Sequence, residues 1–298
     1  MLKNIHIQML QDTLNIFDQG YYIKGNRKIG IRLSREQMEE CHVYLPDNIA
    51  TVMRCTDSKH ADAICQMKVD CRNIDTFSMA QEQYRCNEPE LKNKRTLVLN
   101  FANPYNPGGG VRHGARAQEE DLCRKSSLLF SLESRHAQKY FRYNKSLNTY
   151  MASDSIILTP NVEVIKDSDG ILLDEPFVVS VMTCAAPIIV QAKESISEKQ
   201  YLALFYNRIC GMLKCAAYWG YRQLVLGAFG CGEFGNDARI VSDLFYKALK
   251  EFDYAGMGAE AFFRRIDFAV LDNSHDKYNL KQFKRNFDDY YRDDVCPW

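Results

Sequence analysis

The sequence predicts an α/β fold: a mixed, partly parallel sheet sandwiched between helices, preceded by a helical and hairpin extension. Three observations predict it. Beyond residue 50, short apolar runs rich in branched residues alternate with segments whose apolar positions recur every three to four residues. One of the runs, 177–182, is almost entirely apolar, as strands covered on both faces are, and 222–227 is another apolar strand pattern around Leu224, Val225 and Leu226. Two glycine-rich loops, at 108–110 and 230–235, each follow such a run and precede a helical pattern. In open α/β sheets that edge is where ligands sit.

The elements follow in order. Apolar positions at Ile5, Met9, Leu10, Leu14, Ile16 and Phe17 predict an amphipathic helix over 2–19, ended near Gly20. Residues 21–23 and 29–33 read as a hairpin, and Ser34 with Gln37 forms a capping box that opens a short helix. This part, 1–50, carries no chemical motif and is read as an accessory segment; 51–298 is read as the catalytic unit. Within it, 51–54 predicts a short strand, 58–67 a helix, 71–74 a strand and 78–84 a helix. A polar loop at 88–94 precedes the strand 96–102. After the first glycine loop a helix runs to about 131, and the tyrosine-rich stretch 134–154 reads as a long loop. Two strands, 155–159 and 162–165, are separated by Pro160 and Asn161. The strand 177–182, a long helix over 197–218 and the strand 222–227 come next. A helix over 237–252, a strand over 266–271 and a helix over 278–290 close the chain.

Composition narrows the function classes. The chain has 298 residues and is 46% hydrophobic, enough to bury a sizeable core. Lys plus Arg equals Asp plus Glu, at 38 each, which argues against general nucleic-acid binding, because that work relies on a basic face. The eleven cysteines are odd in number and several lie in apolar runs, with no Cys-x-x-Cys pair and no secretory leader. They read as reduced thiols in an intracellular compartment, cytoplasmic or nuclear. The histidines lack metal-ligand spacing, so no metal and no cofactor are expected. No apolar run reaches the roughly 18 residues that span a bilayer, so no membrane partner is expected, and the protein is read as a monomer.

Two stretches carry the chemistry. Gly108-Gly-Gly110 lets backbone approach a ligand closely, or makes a tight turn with nothing bound. It is not a P-loop, since no Gly-Lys-Ser or Gly-Lys-Thr follows. Gln118-Glu-Glu120 opens a helix. Acidic residues there satisfy the helix dipole, but beside a phosphate-type loop they repel the ligand unless they act on it. Adjacent helical residues point about 100° apart, so Glu119 and Glu120 cannot flank one bond as a facing pair and must divide roles. The second loop, Gly230-Cys-Gly-Glu-Phe-Gly235, matches the dinucleotide fingerprint. The next strand ends at Asp272, far beyond the roughly 20 residues at which the ribose-binding acid is expected, which argues against hydride transfer. Phe229 and Phe234 suit either stacking on a ligand or core packing, and Cys231 suits a packing thiol better than a nucleophile, having no neighbouring histidine. Arg112 and His113 read as solvated loop residues.

Together, Phe101-Ala-Asn103, the triple glycine followed seven residues later by Gln118-Glu-Glu120, and the run Gly230 to Arg239 resemble the poly(ADP-ribose) glycohydrolases, in their compact, microbial-type branch. The resemblance covers about residues 95–275. It implies a macrodomain fold that binds ADP-ribose and cleaves ribose–ribose bonds of poly(ADP-ribose), or of ADP-ribosylated proteins, releasing ADP-ribose. It also implies roles. Glu120 would protonate the leaving oxygen and then activate water. Glu119, with Gln118 beside it, would bind ribose hydroxyls. Gly108, Gly109 and Gly110 would line the scissile bond, and Asn103 or Asn106 would position the distal ribose. Gly230, Cys231, Gly232, Glu233 and Gly235 would wrap the diphosphate, with Phe234 and Phe229 near the ribose. A hydrolase of mono-ADP-ribosyl linkages and a non-catalytic ADP-ribose reader are the alternatives.

Overall fold

The computed structural model describes residues 2–62, 66–85, 95–192 and 196–290. The chain opens with α1 (Leu2–Gln19), the hairpin β1 (Tyr21–Lys24) and β2 (Arg27–Gly30), and α2 (Arg35–Glu39), capped by Ser34 through the predicted reciprocal bonds with Gln37. Then come β3 (His42–Tyr44), α3 (Pro46–Met53), β4 (Lys68–Arg72), α4 (Thr76–Arg85) and β5 (Thr96–Phe101). A 3-10 turn, Val111–His113, leads to α5 (Gln118–Lys125), α6 (Leu128–Glu133) and α7 (Gln138–Ser146). The second half holds β6 (Ile156–Lys166), β7 (Leu172–Cys184), α8 (Ile189–Ala192), α9 (Glu198–Tyr218), β8 (Gln223–Leu226), α10 (Ala238–Lys250), β9 (Arg265–Ala269) and α11 (Tyr278–Phe287).

Among the described residues, seven strands form one sheet in the order β3-β6-β7-β5-β8-β9-β4. The pairs β3/β6 and β6/β7 are antiparallel; the other four are parallel. The predicted mixed sheet between helices is what forms. Strand alternation splits the core in two. Leu97 and Leu99 of β5 join Met182, Leu224 and Phe268 against α9, α10 and α11. Val98, Val181 and Val225 face the other way, against α1, α4, α5, α6 and α7. Asn100 lies two positions beyond Val98, so it points into the layer that holds α5.

Five expectations are corrected. Residues 51–54 are not a strand but the end of α3. Pro46 sits at its first turn, and Ile49 and Val52 are buried at helical spacing, with Ile49 against Gly211 of α9. The described part of 58–67 is not helical: the Asp57 carboxylate accepts from Lys59 N and makes a turn there. Residues 63–65 of that segment lie outside the described residues, as does the whole of the predicted loop 88–94. The stretch 134–154 is not one loop, because α7 occupies its centre with Tyr140, Phe141 and Asn144 buried. The two strands around Pro160 are one strand, β6, whose register against β7 shifts between Thr159 and Val162; a bulge there absorbs the proline. The helix after Glu120 also divides, at Ser126 and Ser127, where the Ser126 hydroxyl donates to Leu122 O and accepts from Leu128 N.

The first 50 residues contribute β3 to the sheet edge and place α1 along α5. The Thr13 hydroxyl donates to Arg124 O at 2.5 Å, and Lys166 Nζ donates to Thr13 Oγ1 at 2.8 Å and pairs with Asp12 at 2.7 Å. No described helix is long and apolar enough to cross a membrane.

Candidate active site

The C-terminal ends of β5, β7 and β8 converge on one edge, and both glycine loops leave from it. β5 ends at Phe101, and Asn103 begins a tight turn in which its Oδ1 accepts from Tyr105 N and Asn106 N, both at 2.9 Å. The Asn106 carbonyl accepts from Gly109 N at 3.0 Å. Gly108 and Gly109 then take φ of +66° and +58°, left-handed values that favour glycine. At Gly109 an added Cβ would lie 2.5 Å from Glu120 Oε1 and 3.1 Å from Glu119 Oε2. The middle glycine therefore serves the close approach of the backbone to both carboxylates.

Those carboxylates are both buried, with Glu119 2% and Glu120 7% exposed. Glu119 Oε2 accepts from Asn103 N at 2.7 Å, and its Oε1 accepts from Asn100 Nδ2 at 3.3 Å. Burial pushes its carboxyl up to about 8; the Asn103 amide and the Asn100 carboxamide pull the other way, and the neighbouring Glu120 adds to the rise. Glu120 differs. Its Oε1 accepts from Gly110 N at 2.8 Å, but its buried Oε2 has no hydrogen-bond partner among the described residues. Buried polar atoms are nearly always paired, so this oxygen stands apart from those of Glu119. The two glutamates thus differ, one held from several sides and the other open on one.

The second loop packs two of its glycines, Gly230 and Gly235, as tightly. Gly230 has φ +76°, and a Cβ there would lie 2.4 Å from Ala186 Cβ and 2.5 Å from Asn236 Nδ2. The Asn236 side chain ties the loop shut, donating to Pro187 O at 2.8 Å and Gly230 O at 2.9 Å while accepting from the Tyr201 hydroxyl at 2.9 Å. Gly235, at φ +71°, presses on Val190 of α8, and Phe234 O accepts from Ile189 N. The loop and α8 therefore form one rim beside the glutamates.

A family model of the microbial-type PARG catalytic domain matches residues 10–167, more than half of the chain. The chain belongs to this family of poly(ADP-ribose) glycohydrolases. The enzyme from Thermomonospora curvata, solved with the inhibitor ADP-HPD, is 28% identical with a TM-score of 0.82, over 95% of this chain and 100% of that one. A mutant of the same enzyme is 27% identical with a TM-score of 0.83, over 95% and 100%. The enzyme from Deinococcus radiodurans, solved in complex with ADP-ribose, is 31% identical with a TM-score of 0.75, over 87% and 99%. A comparison with curated proteins finds no match.

Within this PARG fold the structure brings Asn103, Gly108 to Gly110, Glu119 and Glu120 together, with Asn106 exposed on the outer side of the turn. Two expected ligand contacts are corrected. The Gln118 side chain is fully used inside the protein: Oε1 accepts from Phe101 N at 2.9 Å, and Nε2 donates to Leu99 O at 2.8 Å and Thr76 Oγ1 at 3.1 Å. It ties the start of α5 to β5 and so aims the glutamates. Phe229 is fully buried, its ring 5.8 Å from Phe101 and 5.6 Å from Phe205, so it packs the core instead of meeting a ligand. Phe234 is half-buried, and Gly232 and Glu233 are exposed. Cys231 is half-buried, and burial, with Asp237 nearby, pushes its thiol well up, which leaves it a poor nucleophile.

Three residues that shape the site escape the sequence reading. Asn100 and Thr183 are wholly buried polar residues inside apolar strands, which is the signal that singles them out. Arg208 of α9 is 1% exposed, pairs with Asp154 at 2.8 Å and donates to Met151 O and Ala185 O, holding the rim segments on both sides of the site.

The raised Glu119 carboxyl has a consequence for stability. Its folded-state value lies above the ordinary 4.5, so the native protein holds a proton that the unfolded chain releases. The stabilisation is full below about pH 4.5 and is lost as pH rises through about 8. Glu119→Gln removes this dependence. Between pH 5 and 8 the wild type is expected to lose on the order of 1–4 kcal/mol more than the variant, read by urea unfolding at both pH values. Equal losses would show that Glu119 is already ionised in the folded state at pH 5.

Proposed function

We infer that the protein is a metal-independent poly(ADP-ribose) glycohydrolase, with Glu120 as the acid that protonates the leaving ribose oxygen and then as the base that activates water. The observation that carries this reading is the Glu120 carboxylate, with Oε1 fixed by Gly110 N and Oε2 buried and unpartnered among the described residues. A proton donor held at one oxygen and open at the other suits a single acceptor at a defined position. Glu119 is placed to hold the hydroxyls of the reacting ribose, and the loop Gly230 to Gly235 supplies backbone for the diphosphate. Positive charge that develops on the ribose ring is stabilised by the neighbouring carboxylate and by the diphosphate itself. ADP-ribose and ADP-HPD in the related solved structures support a ligand of this chemistry.

The eight described cysteines are free, which supports work in a reducing, intracellular compartment. We propose that the protein acts as a monomer, checked by sedimentation. The test of function is incubation with poly(ADP-ribose) and chromatography of the products, alongside a calorimetric titration with ADP-ribose. Free ADP-ribose and saturable binding are the expected results. Binding without release would make the protein a reader, and release from mono-ADP-ribosylated protein alone would move it to the other linkage.

A further inference from the structure

Glu119 is held from behind by a residue that the proposed reaction does not use. Asn100 of β5 is 0% exposed, and its Nδ2 donates to Glu119 Oε1 at 3.3 Å and to Thr183 Oγ1 of β7 at 3.1 Å. Its Oδ1, equally buried, has no hydrogen-bond partner among the described residues. Thr183 is 0% exposed as well. In this arrangement the carboxamide serves two acceptors with its amino group and nothing with its oxygen.

We propose that Asn100 is a positioning residue whose carboxamide reverses with the proton on Glu119. When Glu119 is ionised, Nδ2 donates to it, as the structure displays. When Glu119 carries a proton on Oε1, that proton would point at the amino group, and a half-turn of the Asn100 carboxamide about its Cβ–Cγ bond removes the conflict. Oδ1 then accepts from Glu119 and from the Thr183 hydroxyl, which is donor and acceptor alike. Two hydrogen bonds are made in either state, so a buried carboxyl can load and release a proton, exchanged with bulk water, without leaving an acid hydrogen unpaired.

The groups around Glu119 do not offer the same service. Asn103 N, which donates to Oε2, and the Gly108 amide are fixed donors and cannot accept from a protonated Glu119. The titratable groups that face it are Glu120 and Cys123 on α5 and Tyr140 on α7. Burial holds Cys123 and Tyr140 far above their ordinary values, so both stay neutral through pH 5–9. A carboxyl displaced to about 8 has both forms present at neutral pH, which is the range in which such a switch operates. For the reaction, the consequence rests on the reading of Glu119 as the group that meets the ribose hydroxyls: the ionised form accepts from them, so ADP-ribose affinity follows the switch.

The test follows the side-chain amide NMR signals of Asn100 between pH 5 and 9 in the wild type, Glu119→Gln and Glu120→Gln. The expected result is a titration in the wild type and in Glu120→Gln, and none in Glu119→Gln. Asn100 signals that do not move with pH, or that move equally in Glu119→Gln, would overturn the proposal. A second readout is the ADP-ribose dissociation constant against pH. In the wild type the affinity rises with pH, and in Asn100→Asp that rise shifts to higher pH by about one unit or more, because a second carboxyl now competes for the proton. An unshifted profile in Asn100→Asp counts against the proposal. The NMR measurement needs no substrate, so its failure is separate from a failure of the glycohydrolase reading, which polymer hydrolysis by the wild type reports.

Discussion

Glu120→Gln is expected to lower the rate of polymer hydrolysis by about 10²–10⁴-fold while ADP-ribose affinity stays within a few-fold of the wild type. The substitution keeps the shape of the side chain. Its carbonyl oxygen can still accept from Gly110 N, as Glu120 Oε1 does at 2.8 Å, so the loop keeps its anchor. What is lost is the proton at the open position, where Oε2 is buried and unpartnered among the described residues. An amide cannot supply a proton to a leaving oxygen or take one from water. Loss of turnover with binding intact therefore separates a chemical role from a structural one, which product chromatography and calorimetry on the same preparation would read. Near-normal hydrolysis by the variant would remove Glu120 from the acid's role. Glu119, its carboxyl engaged by Asn103 N and Asn100, would then be the next group to test.

What was legible in the sequence follows from where the signal is local. The Ser34 capping box, the amphipathic α1 and the apolar strands β5, β7 and β8 are set by residues within a few positions of one another, and each forms close to where its pattern puts it. The two glycine loops are legible for the same reason, since strand, glycines and helix follow directly. The misread elements depend on distant partners. In α3 the β-branched pair at Thr51 and Val52 looks like a strand; packing of Ile49 and Val52 on α9 overrides that preference. In α7 the tyrosine-rich, polar stretch that suggests a loop forms a helix because Tyr140, Phe141 and Asn144 are buried on one side of it. The site divides in the same way. Glu119 and Glu120 are visible as adjacent acids, but the asymmetry between them is set by Asn100, Asn103 and Gly110, which lie 10 to 19 positions away along the chain. Gln118 and Phe229 sit inside motifs, and a motif does not say which of its members face the ligand and which hold the frame.

The glycine at 109 offers the second large effect, and it separates geometry from stability. In Gly109→Ala the new Cβ would stand 2.5 Å from Glu120 Oε1 and 3.2 Å from Glu120 Cδ. The end of a side chain can move aside, so the steric cost to folding is small, and the left-handed φ of +58° adds about 1–2 kcal/mol. The movement, however, breaks the bond from Gly110 N and displaces the Glu120 carboxylate by roughly an ångström, a shift that can cost about 10²-fold in rate if that carboxylate is the acid proposed above. Two neighbouring substitutions make the comparison. At Gly108 a Cβ would meet Leu129 Cδ1 at 2.7 Å and Cys123 Sγ at 3.3 Å, inside the packed layer below the loop, so Gly108→Ala is expected to lose more stability than Gly109→Ala. At Gly232 nothing lies within 4 Å, and Gly232→Ala should leave stability unchanged. Thermal unfolding and steady-state hydrolysis of the three variants would show whether rate and stability separate in this order. A Gly109→Ala enzyme with full turnover would mean that the carboxylate position set by the loop is not what the chemistry depends on.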